Sequence, residues 1–281
     1  MSPIHDQTYR RYQGPRQPPG RAWMVIARDG IRNMLARKLF LAVLLIAWIP
    51  FVVRVVQIYV VTAYPVAGQV LGVSTSTYHE FIGQQTTFIF FVTVYVGAGL
   101  IAADRRANAL QIYLSKPLMR TEYIAGKVGI LASFLLFITL LPALLLVIMQ
   151  VLFAGSASFL TSNLFLIPAI VMSTLVQVIV ASFTMLALSS LSKSTRYVAI
   201  TFAGTVFFTE SVYHVLHAIT GSTRVAWVSV GGNIENVTDV MFRMTPRYET
   251  PVVLSALVLL GLIVLSISVL ERRVRGVEVV A

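Results

Sequence analysis

Residues 104–127 read DRRANALQIYLSKPLMRTEYIAGK, a charged stretch between two apolar runs at 84–103 and 128–153. A bilayer's hydrocarbon core is about 30 Å thick, and about 20 apolar residues in a helix cross it. Both flanking runs reach that length, so the charged stretch between them is read as lying at a membrane surface rather than in lipid. Working outward, four more runs qualify: 39–61, 164–190, 197–218 and 251–270. Backbone crossing lipid must be helical or close into a barrel, and runs this long and apolar are helices. The chain is 57% apolar and 12% charged, where soluble domains carry roughly 25% charged residues. The expectation is an all-α polytopic membrane protein with six transmembrane helices.

The formal charge of +11 does not indicate a nucleic-acid partner, because of where it sits. Arg10, Arg11, Arg16, Arg21, Arg28, Arg32, Arg37 and Lys38 precede the first run; Arg105, Arg106, Lys116, Arg120 and Lys127 follow the second. Lys193 and Arg196 follow the fourth run, and Arg272, Arg273 and Arg275 follow the sixth. The alternate loops 62–83 and 154–163 contain no Lys or Arg. Only 219–250 mixes signs, with Arg224, Arg243 and Arg247 against Glu235, Asp239 and Glu249. The positive-inside rule then places both termini in the cytoplasm of a cell (inner) membrane protein, and an even number of spans agrees. No short hydrophobic core with a cleavage site precedes Leu39, so span 1 is expected to serve as the retained targeting signal. The absence of cysteine excludes disulfides and Cys-ligated metals.

Residues 1–20 contain QGPRQPPG at 13–20 and read as a flexible cytoplasmic tail. Over 21–38, Trp23, Ile26, Ala27, Gly30 and Met34 recur at helical spacing, with Arg21, Arg28 and Arg32 opposite. That is an interfacial amphipathic helix. It either anchors the chain ahead of span 1 or, as an elbow, also touches a cytoplasmic partner. The remainder, 39–281, is the six-helix transmembrane domain, with a loop at 104–127 and an outer loop at 219–250.

Within 104–127, Leu110, Tyr113, Leu114 and Pro117 make one helical stripe, and Arg105, Asn108, Ile112 and Ser115 lie opposite. Ile112 is an apolar side chain on the polar side, suited to a groove on another protein. Lys116–Pro117 should end this short helix, and Thr121 is placed to cap the next one. A lipid-facing connector without a partner fits the same pattern.

LSKPLMRTEYIAGK at 114–127 resembles the Leu-Ser-basic-Pro-Leu-x-Arg-x-x-Tyr-x-x-Gly-Lys pattern of type-2 ATP-binding-cassette (ABC) exporter permeases. Asp104, ten positions upstream, fits the same habit, and ERRVRGVEVV at 271–280 is similar to their Arg- and Val-rich tails. The resemblance implies a cytoplasmic coupling helix formed by this loop, with Asp104, Arg105, Leu110, Ile112, Tyr113, Leu114, Ser115, Lys116, Pro117 and Arg120 meeting an ATPase. It also implies two ABC ATPase subunits and a homodimer or heterodimer of permeases. A phosphate-binding loop needs a Gly-rich turn ending Gly-Lys-Ser/Thr. Here Gly126–Lys127 is followed by Val128 with no Gly-rich run before it. The chain is therefore expected to be a non-catalytic subunit that binds no cofactor, with ATP and Mg on the partner ATPase. The competing reading is an autonomous secondary transporter or membrane scaffold. Inverted repeats would mark many secondary transporters, and 39–153 shows no convincing similarity to 164–270.

Charged groups inside spans are costly and mark pathways or packing pairs. Arg54 and Glu210 fall at matching depth, about 20 Å from the cytoplasmic ends of spans 1 and 5. They either pair or face an aqueous cavity. Glu210, His214 and His217 share a helix face at i, i+4, i+7, and His79 with Glu80 could add ligands. That makes a weak candidate metal site, with interfacial hydrogen bonding as the simpler use. Pro50, Pro142 and Pro168 are expected to kink spans 1, 3 and 4, and Gly97, Ala98, Gly99, Ala102 and Ala103 to permit close helix approach in span 2. The apolar residues of 219–250, Trp227 to Phe242, predict short helices at the outer interface. In the resembled permeases that region forms an extracellular gate.

Overall fold

The computed structural model describes residues 22–64, 71–109 and 119–274. Six helical segments are long and apolar enough to cross a membrane: Lys38–Ala63, Thr75–Arg106, Arg120–Ala154, Leu166–Leu191, Thr195–Thr220 and Val252–Arg273. They are spans 1 to 6, and no strand occurs among the described residues. The chain is a multi-pass helical membrane protein. Two shorter helices matter here: a leading helix, Ala22–Leu35, and a cap helix, Val230–Met241. The bundle has an entry face, where the chain enters span 1, and an opposite far face.

The spans form a core and a rim. About half of the most apolar stretch of spans 2, 3 and 4 is buried (50%, 56% and 50%), against 17% for spans 1, 5 and 6. Span 4 is the hub and packs on spans 2, 3, 5 and 6. Two of its hydroxyls return their protons to carbonyls of the preceding turn, Ser173 to Ala169 O at 2.7 Å and Thr174 to Ile170 O at 2.7 Å. That satisfies a polar side chain where no water is at hand.

The leading helix lies across the first half of span 3. Two glycines make the crossing close. A Cβ on Gly30 would stand 2.1 Å from Ile130 Cδ1, and one on Gly126 would stand 2.8 Å from Ile26 Cβ. Each helix thus offers a socket to an isoleucine of the other. Gly126 belongs to the Tyr-x-x-Gly-Lys pattern, and close helix packing is its role here.

Proline acts at two of the three expected places. Span 1 divides at Trp48, just before Pro50, and span 3 divides at Thr139, three residues before Pro142. Span 4 runs unbroken from Leu166 to Leu191, so the kink expected at Pro168 is absent. Pro168 falls in the first helical turn, where the N–H it lacks would have had no helical partner. Span 2 begins at Thr75, nine residues earlier than the apolar run suggested, capped by the Ser74 hydroxyl on the Ser76 amide.

The segment 219–250 contains a 3₁₀ turn, Thr223–Val228, followed by the cap helix. The cap helix packs Val237 against Val180 of span 4 and Leu259 of span 6. Val180 is about 21 Å along span 4 from its start, at 1.5 Å per residue, so the cap helix reaches into the bundle.

Candidate functional site

Three elements converge where the charged stretch leaves span 2. After Val92, span 2 passes through a π-helical turn, Thr93–Gly97, and irregular turns before a last short helix, Ala102–Arg106. π segments leave backbone groups unpaired and often occur at functional positions. A single side chain from span 4 meets that need. Ser189 Oγ accepts from the amides of Ile101 (3.1 Å) and Ala102 (3.0 Å) and donates to Ala98 O (3.0 Å). One hydroxyl has one proton and two lone pairs, so its capacity is fully used. Gly97 lets span 4 this close, since a Cβ there would stand 2.4 Å from Met185 Cγ.

Beyond the break, Asp104 is the central group. Its Oδ2 lies 2.7 Å from Lys127 Nζ and accepts a 2.7 Å hydrogen bond from the Tyr123 hydroxyl. Tyr123 is fully buried and Lys127 is 9% exposed. Lys127 Nζ also stands 5.4 Å from the Tyr123 ring centroid. The Tyr and Lys of Tyr-x-x-Gly-Lys, spaced i, i+4 on span 3, therefore grip the acid at the end of span 2. Arg105 donates from Nη1 to the Ser190 carbonyl of span 4. Arg120 starts span 3 and is exposed. Glu122 accepts from the Met119 amide at 3.1 Å and so caps the same helix. Leu110, Ile112, Tyr113, Leu114, Ser115, Lys116 and Pro117 lie outside the described residues. The importance of Tyr123 and Lys127 was visible only as part of a pattern; their partner, Asp104, lies 19 and 23 residues away.

The far face carries several such pairs, spread over spans 1 and 2, the cap helix and the segments beside it. Arg54 Nη2 lies 3.0 Å from Glu80 Oε2, and its Nη1 donates to Gln57 Oε1 at 2.8 Å. Arg54 thus pairs with span 2 rather than with Glu210. His79, the next residue, turns about 100° around the helix and sets Nε2 2.7 Å from Asp239 Oδ1 of the cap helix. Both side chains are at least 95% buried. Asp239 Oδ2 also accepts from the Arg247 amide at 2.9 Å. Tyr248 donates to Glu235 Oε2 at 3.0 Å. Burial, and then the neighbouring Glu235 charge, push its phenol above the ordinary tyrosine range.

Glu210 accepts from the Ser229 hydroxyl, and His214 Nε2 stands 3.4 Å from its Oε1. His217 turns away, with Nδ1 3.1 Å from Ser222 O and its ring stacked on Tyr213. Among the described residues no three His, Asp or Glu side chains converge as metal ligands would. The Glu210, His214, His217 set is therefore not assembled, and neither His79 nor Glu80 joins it.

No family model matches this chain, and no curated protein matches it.

Proposed function

We propose that this chain is the membrane-spanning, non-catalytic subunit of an exporter, driven by ATP hydrolysis on a separate ABC-type ATPase. In this reading both termini and the entry face are cytoplasmic, and residues 104–127 form the segment that the ATPase pushes. The observation that carries it is the Asp104 clamp. Its two arms, Asp104 on one side and Tyr123 with Lys127 on the other, bracket the loop 107–119. A load on that loop passes into spans 2 and 3 together, and through Arg105 and Ser189 into span 4. Span 2 carries its break immediately above the clamp, where a hinge would convert the load into tilt. The substrate travels on a path that this tilt opens and closes.

Rim span 5 supports a dimer. Its exposed face carries Thr201, Gly204, Ser211 and His214 among Ile200, Phe207 and Phe208. Small and polar side chains on a lipid-facing helix are the usual material of helix–helix contacts. The charge pairs of the far face, His79–Asp239 above all, hold the cap helix on the external side, at the exit of such a path.

The test is co-purification of this chain with an ABC-type ATPase, the first candidate being any ATPase encoded beside it. Ile112→Asp and Tyr113→Asp are expected to release the ATPase while the membrane domain still elutes and melts as the parent does. The chain has no native cysteine, so a single cysteine at Ser115 reports its side directly. Labelling of that cysteine by an impermeant maleimide in intact cells would overturn the proposal.

A further inference from the structure

We infer that the groove between the leading helix, the end of span 2 and the start of span 3 is a binding site for the headgroup of a monoanionic phospholipid. The groove has a volume of about 590 Å³, within the range of small-molecule sites. Arg37, Arg106 and Lys127 line it, and so do Asp29 and Asp104. Three cations against two carboxylates leave the walls with one positive charge. A singly charged phosphodiester neutralises that charge, and a zwitterionic headgroup does not.

The charged groups differ in what they have left to offer. Asp104 is already engaged by Lys127 and the Tyr123 hydroxyl. Lys127 is buried, its ammonium carries three donors, and Asp104 takes one of them. Neither the Arg37 nor the Arg106 guanidinium has a partner among the described residues. Arginine suits phosphate because its planar fork presents paired N–H donors. The depth of these groups suits a lipid. Arg37 precedes the first turn of span 1 and Arg106 ends the last helix of span 2, where spans meet the headgroup layer. Lys127 stands about 10 Å into span 3, at 1.5 Å per residue. Apolar side chains, Ile26, Leu100 and Ile130, complete the walls. A charged mouth over an apolar floor fits an amphiphile better than a fully water-soluble ester, and basic pockets between spans are known seats of lipid headgroups. Tyr95 and Val96 of the π-helical turn line the same groove, so a bound headgroup rests against the break in span 2.

The site does not need the ATPase, so its test is separate from that of the export reading. The full chain in detergent is given equimolar phosphatidylglycerol, phosphatidylethanolamine and phosphatidylcholine with the same acyl chains, and native mass spectrometry counts the lipid retained. Phosphatidylglycerol is expected to be retained at least about tenfold in preference to either zwitterionic lipid, the usual scale of a charge-assisted hydrogen bond. Arg37→Gln with Arg106→Gln is expected to remove that preference. Arg28→Gln with Arg32→Gln takes the same charge from the leading helix outside the groove, and is expected to leave the preference intact. Ala103→Phe, at an exposed position in the wall, is expected to exclude all three lipids. Should the Arg37, Arg106 variant fail to fold, Ala103→Phe and the Arg28, Arg32 variant decide. Equal loss in both arginine pairs would mean diffuse attraction to a basic surface and overturn the inference, as would retention untouched by Ala103→Phe. Glycerophosphate at the lipid's own concentration is expected not to displace it; displacement would assign the groove to a soluble phosphate ester and overturn the lipid assignment. Selective retention in a chain that never captures an ATPase leaves the site standing and removes the export reading.

Discussion

The two faces of this bundle are built on opposite principles. At the entry face, helices approach closely through Gly30, Gly97 and Gly126, and one acid, Asp104, gathers the ends of spans 2 and 3. At the far face, separate charged side-chain pairs tie segments together: Arg54 to Glu80 and His79 to Asp239 between helices, and Arg224 of the 3₁₀ turn to Glu249 ahead of span 6. Backbone-close packing resists shear and transmits displacement. Side-chain pairs can break and re-form one at a time. The export reading proposed above would use this asymmetry, loading one face and opening the other.

The largest effect is expected at the entry face. Lys127→Met leaves Asp104 partly buried without its cation, and breaking such a pair costs about 3–5 kcal/mol. Asp104→Asn combined with Lys127→Met is expected to recover most of that loss, because the amide still accepts from Tyr123 and no charge is left alone. Thermal unfolding of the four proteins in one detergent measures the cycle. If the single and double variants melt alike, the clamp is not held by its charges.

The far face should be softer. His79→Leu removes one partner of Asp239 but leaves the Arg247 amide at 2.9 Å and the Arg247 guanidinium 3.9 Å away, so the acid keeps a cation and a loss of about 1–3 kcal/mol is expected. It should appear as faster hydrogen exchange over Val230–Met241 and not over the leading helix. Exchange that rises equally at both faces would erase the distinction drawn here. Arg224→Gln breaks a pair whose side chains are 78% and 64% exposed, and a melting shift within about 0.5 kcal/mol is expected, since solvent and salt screen it.

How much of this was legible in the residues alone differs by feature. The spans were legible because hydrophobic run length is a local property. The start of span 2 was not, because Thr75 to Gln85 reads as polar. Its buried positions Tyr78, Phe81, Ile82, Gln85 and Ile89 nonetheless keep helical spacing, which is the signal that was available. Depth along a helix is also local, so Arg54 and Glu210 could be set level from 1.5 Å per residue. Which neighbour a side chain meets is not local. Span 1 packs on spans 2 and 3, and Glu80 takes Arg54. His79 and Asp239 are 160 positions apart, and nothing short of the tertiary fold brings them together. The entry-face clamp was half legible: the pattern singled out Asp104, Tyr123, Gly126 and Lys127, while the geometry supplied what each does.

A last effect separates the faces by pH. Tyr248 lies on the far face, outside the spans, and its phenol is raised above the ordinary value near 10. A raised acid is easier to deprotonate in the unfolded chain than in the fold. Its contribution to stability is therefore complete below about pH 10 and is lost as pH climbs from there toward the folded value. The chain has 11 tyrosines, so the informative quantity is the difference between the parent and Tyr248→Phe. Between pH 7 and 9 that difference should be constant and reflect only the lost hydrogen bond to Glu235. Above pH 10 the parent should fall faster than the variant, and exchange of the cap helix should rise with it while the leading helix stays protected. A parent and variant that decline in parallel through pH 11 would mean that Tyr248 ionises as freely in the fold as outside it, and that the far face is not closed around it.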